Sequence, residues 1–114
     1  MNREDFMNLT EHMQKEEEEE YLKKNADYAD RNGLNILANF ERVAKNLNIT
    51  PQMALLIYME KHMDAIRTYI RFGSVMSEPI EGRIKDARVY LSLLRAMVEQ
   101  KKSVNREDKV WAIA

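Results

Sequence analysis

The sequence predicts an all-α protein, a four-helix, mostly antiparallel bundle with a charged C-terminal tail. Helix-forming residues dominate the 114 residues, and 3 Gly and 2 Pro are too few for the many short turns of a sandwich or barrel. Apolar residues recur at spacings of three and four along several segments, the period of a helix with one buried face. With 45% hydrophobic and 32% charged residues the chain reads as one globular domain, 1–114, with a densely charged surface. The 8 Met point to a core or groove filled by adaptable side chains.

The first helix is expected over about 1–24, with Phe6, Leu9 and Met13 at helical spacing ahead of the acidic run Glu16 to Glu20. A connector follows over 25–35, rich in Asn, Asp and Gly, with Gly33 as its break. The body, 35–100, holds three helices. The second runs from Asn35 to Leu47, with Leu37, Phe40, Ala44 and Leu47 on one side and Asn48 at its end. Thr50-Pro51 opens the third, because Thr caps free amides and Pro suits the first helical position. Its stripe is Leu55, Tyr58, Met59, Met63, Ile66, Tyr69 and Ile70, and Gly73 closes it. Ser77 is expected to cap a fourth helix, with Glu78 and Pro79 in its first turn and the stripe Ile80, Ile84, Ala87, Leu91, Leu94 and Val98. A tail, 101–114, ends in Val110, Trp111 and Ile113, which would dock on the body or on a partner.

Several function classes are excluded or disfavoured. The absence of Cys removes disulfides, thiolate catalysis and cysteine metal sites, and the formal net charge of -1 gives no overall attraction to nucleic acid or anionic membranes. No apolar run reaches signal-peptide or membrane-spanning length, so a cytoplasmic location is expected. The segment around Val43 to Pro51 has the outline of a helix-turn-helix. Its would-be recognition helix offers Gln52 as the sole early polar side chain and no cation before Lys61, too little to hold bases or phosphates. There is no Gly-rich phosphate loop, Ser/His/Asp set or paired-His metal motif.

Three features break the pattern of apolar inside and charged outside. At roughly 100° per residue, Glu16, Glu17 and Glu20 prolong the stripe of Phe6, Leu9 and Met13. Such a run is either a solvated helix end or a face that a divalent cation neutralises. Asp86 projects with Gly82, Leu93 and Met97, away from the charged strip of Glu81, Lys85, Arg88, Ser92 and Arg95. A buried acid must be paired, metal-bound or protonated, and Arg83 is its candidate structural partner. His62 lies in the stripe of the third helix, as a core or interface histidine. Because consecutive helices with a short connector pack antiparallel, His62 and Asp86 are expected to share a buried polar pocket that favours the charged imidazole.

The stretches Lys61-His62-Met63-Asp64-Ala65-Ile66 and Ser77-Glu78-Pro79-Ile80-Glu81-Gly82-Arg83-Ile84-Lys85-Asp86 through Tyr90, with Asp27-Tyr28 and Asn39-Phe40, resemble small phage and prophage helical proteins of the nucleotide-modification-associated type. The resemblance covers roughly Lys24 to Val98. Such proteins are similar in turn to the MazG-like all-α nucleotide pyrophosphatases, whose Glu-Glu-x-x-Glu and Glu-x-x-Asp motifs hold magnesium. The first motif maps to Glu16, Glu17 and Glu20. The second has no clean counterpart, since Ile84 stands three residues after Glu81 and Asp86 five. The resemblance implies a Mg²⁺-dependent nucleotide-binding protein or nucleoside triphosphate pyrophosphohydrolase. Glu16, Glu17, Glu20 and Asp86 would be metal ligands, and Lys61, His62, Glu81 and Arg83 would lie on the substrate side, Lys61 or Arg83 touching phosphate.

The rival reading is a non-enzymatic interaction module of a phage or mobile element, in which the acidic helix contacts a basic partner. Convergence of the Glu run with Asp86 separates the two, because catalysis needs them around one cation and a binding module needs the run exposed. In either case the wide apolar faces predict a homo-oligomer through the third or fourth helix.

Overall fold

The structure is a computed structural model. It describes residues 1–28 and 35–105, with the backbone alone for 24–28 and 104–105. The break expected at Gly33 and the apolar end, Val110, Trp111 and Ile113, lie outside these residues. Four helices follow in order: α1 (Arg3–Tyr28), α2 (Ala38–Leu47), α3 (Pro51–Phe72) and α4 (Ile80–Asn105). There is no strand among the described residues, and the helices pack as a bundle.

Helix ends follow local chemistry. The Asn2 side chain accepts the Asp5 amide at 2.8 Å and opens α1. Thr50 accepts the Met53 amide at 3.1 Å, with Pro51 in the first turn of α3. Asn48 closes α2 at φ 57°, and Gly73 closes α3 at φ 79° with its amide on the Tyr69 carbonyl at 2.7 Å. Four boundaries differ from expectation. The first helix runs on to Tyr28, into the segment expected to be connector. The second helix begins at Ala38, because the Asn35 side chain takes the Leu37 amide at 3.0 Å and holds a turn before it. The fourth begins at Ile80, because the Pro79 carbonyl receives the amides of Gly82 and Arg83, while the Ser77 hydroxyl receives Arg83 instead of capping. It also runs to Asn105, into the segment expected to be tail.

Helix α3 packs most extensively on α4, α2 packs on α3, and α1 lies along α4. The core is Leu37 and Phe40 of the α2 segment, Leu55 of α3, and Val89, Leu93 and Met97 of α4, with Tyr21 of α1 and Met59 against it. The phase of α4 corrects the sequence expectation. Its buried side chains include Val89, Leu93 and Met97, on the flank that carries Gly82 and Asp86. Of the expected stripe only Ala87 is buried, while Ile84, Leu91 and Val98 are exposed. In α3 the expected stripe splits: Leu55 is buried, but Ile70 near the C-terminal end is 76% exposed.

Leu55 is 1% exposed at the meeting of α2, α3 and α4. Leu55→Ala should lower the unfolding free energy by about 2–5 kcal/mol in urea denaturation followed by circular dichroism.

Candidate functional site

A cavity of about 400 Å³ lies between α2, α3 and α4, with Tyr21 of α1 on its wall. Phe40, Tyr58 and Tyr90 line it as aromatic rings. Phe40 stands edge-on to Tyr58 at 5.9 Å and to Tyr90 at 6.1 Å, the favoured arrangement for rings with negative faces and positive edges. Arg42 and Lys61 bring cations to the same cavity, Asn39 an amide, and Glu78 and Asp86 carboxylates. The Asn39 side-chain oxygen accepts Arg42 at 2.7 Å, which orients the guanidinium.

His62 sits at the inner wall, 4% exposed, against the Tyr90 ring at 5.6 Å. Its Nδ1 lies 3.6 Å from Asp86 Oδ2 and 3.2 Å from Arg83 Nη1. The Asp86 carboxylate and the Arg83 guanidinium thus reach the same imidazole nitrogen. Arg83 further donates to Ser77 Oγ at 3.0 Å, and its Nε lies 3.6 Å from Glu78. It ties the start of α4 and the α3–α4 connector to the buried histidine.

The acidic run of α1 goes elsewhere. Glu17, 8% exposed, pairs with Arg88, and Glu20 lies 3.5 Å from Lys85. Glu16 pairs with His12 at 2.9 Å, one turn back on α1. Glu18 and Glu19 remain exposed. No three His, Asp or Glu side chains among the described residues gather where one metal ion would sit, so Glu16, Glu17, Glu20 and Asp86 form no ready cation cage. The physical reason is competition: Arg88 and Lys85 on α4 neutralise the carboxylates that a cation would otherwise hold. The same pairing leaves Glu18 and Glu19 as the exposed carboxylates of the run, with Glu4 and Glu11 exposed on the face of Glu18.

Of the residues expected on the substrate side, Lys61 and His62 line the cavity. Arg83 stands behind it, and Glu81 is exposed outside its lining. Sequence reasoning did not assign Tyr21, Arg42, Tyr58, Glu78 or Tyr90 to a site. Tyr58 falls in the apolar stripe expected for the third helix, and nothing in helical period alone brings a residue of α2 to face α4. No family model matches the chain, and neither a curated protein nor a solved structure does.

Removing Asp86 would leave the buried donors beside it without their carboxylate. Asp86→Ala and His62→Ala should each cost about 1–3 kcal/mol of stability, read as a lower melting temperature in calorimetry. Unchanged melting in both would mean that these side chains are solvated.

Proposed function

We propose that the cavity binds a nucleoside triphosphate and that the protein is a pyrophosphohydrolase-like nucleotide enzyme. The observation behind this reading is the lining itself. The aromatic side chains of Tyr21, Phe40, Tyr58 and Tyr90 offer apolar surface to a base, while Arg42 and Lys61 offer cations to phosphates in a cavity of about 400 Å³, within the size range of small-molecule sites. The resemblance of Lys61 to Ile66 and of Ser77 to Tyr90 to nucleotide-modification-associated proteins supports it.

Magnesium enters this reading as part of the substrate, carried on the triphosphate. Since the described carboxylates build no cage of their own, no step is assigned to a resident ion. Asp86 takes the proton of a water whose oxygen forms a bond to the α-phosphorus. The bond from that phosphorus to the bridging oxygen breaks, and pyrophosphate leaves, its charge compensated by Lys61 and Arg42. His62, itself in contact with Arg83, holds Asp86 in position from the protein side.

The test is pyrophosphate release from a panel of nucleoside and deoxynucleoside triphosphates with Mg²⁺, together with thermal shift. Asp86→Asn should retain binding and lose about a hundredfold in rate, while Lys61→Ala should weaken binding about tenfold. No release and no thermal shift with any nucleotide would overturn the reading.

A further inference from the structure

Helix α4 carries a second apolar stripe that the fold covers only in part: Ala87 is buried and Leu94 packs against the core, while Ile84, Leu91 and Val98 stay exposed. Ile80, Ile84, Ala87, Leu91, Leu94 and Val98 alternate spacings of four and three, the heptad pattern of a coiled-coil seam. The pattern spans about 27 Å of helix at 1.5 Å per residue. Leu91 at its middle is 51% exposed and Ile84 and Val98 are exposed at either end, although the bundle has already buried the neighbouring face of α4 through Val89, Leu93 and Met97. A strict seven-residue repeat is not needed for packing within one bundle, and a matching helix with the same repeat is what it fits.

We propose that this seam pairs with the same seam of a second copy of the chain, in antiparallel register. Ile80 then lies opposite Val98 of the second copy, Ile84 opposite Leu94, and Ala87 opposite Leu91. The flanking charges select the direction. Antiparallel pairing sets Glu81, exposed at the start of α4, against exposed Arg95 of the second copy at both ends of the seam. At the centre of the antiparallel pair Arg88 meets its own counterpart, with its charge already compensated by Glu17.

The experiment is light scattering coupled to gel filtration across the micromolar range, with circular dichroism of each variant. Wild type should be dimeric, and Leu91→Arg should weaken dimerisation about a hundredfold or more, because each dimer would bury two unpaired charges. Its helix content should stay unchanged, since Leu91 is half exposed in the single chain. Should that variant fail to fold, Ile84→Lys gives the same readout from another seam position. The direction is read from disulfides, which the absence of native Cys makes unambiguous. In the antiparallel pair two Val98 positions lie about 27 Å apart, so Val98→Cys alone should not cross-link on oxidation, whereas a mixture of Val98→Cys and Ile80→Cys should. A monomeric wild type, whatever else then covers the seam, overturns the proposal. So does a dimer that neither Leu91→Arg nor Ile84→Lys weakens, or efficient self-linking of Val98→Cys.

Discussion

Helix α4 has two apolar faces and can set only one against α3, and it sets inward the one that contains an aspartate. The inward face supplies Val89, at 0% exposure, with Leu93 and Met97, which fill the space against Leu55, Phe40 and Leu37. Close-packed volume of this kind contributes in proportion to the apolar area removed from water, and the cost of bringing Asp86 along is offset if the acid finds partners. His62 is such a partner, and Arg83, expected to pair with the acid, contacts the imidazole instead. The choice of face therefore decides at once where the core lies, where the polar site lies and which apolar stripe remains outside.

The polar cluster follows from that choice. A carboxylate at the α3–α4 contact calls for donors, and the buried imidazole on α3 lies against both the acid and the guanidinium. Around it the aromatic rings of Phe40, Tyr58 and Tyr90 hold three helices apart enough to leave a cavity rather than a sealed core. A cavity whose walls combine edge-to-face rings with charged side chains has a chemistry distinct from a packing defect, which would be lined by aliphatic groups alone.

Helix α1 is attached by charge more than by oil. Glu17 and Glu20 meet Arg88 and Lys85, residues that step in opposite directions along the two helices and so set them antiparallel. Phe6 and Leu9 of the same stripe stay exposed. Ion pairs at a partly buried seam contribute register more surely than stability, since desolvation offsets much of their attraction. They also use carboxylates that the acidic run would otherwise present to a cation or to a basic partner.

How much of this was legible in the sequence depended on whether local rules decided it. The all-α class, the starts and stops of α3 at Thr50, Pro51 and Gly73, and the end of α2 at Asn48 rest on backbone chemistry within one turn, so residue type was enough. Helical phase marked His62 and Asp86 as out of place among apolar neighbours, and they meet at 3.6 Å. Phase could not say which of two apolar faces of α4 would be inside, because Ile84, Leu91 and Val98 make as regular a stripe as Val89, Leu93 and Met97. Nor could it give the partners of Glu17 and Glu20, or the approach of Arg42 and Tyr21 to Asp86's cavity, since these join residues from helices far apart in the chain. The sequence by itself determined the helices, their ends and the two residues that had to be satisfied in the interior. Only the tertiary structure decided which face of α4 was buried, because that depends on how well its side chains fit the other helices, a property of surfaces in contact and not of any one helix.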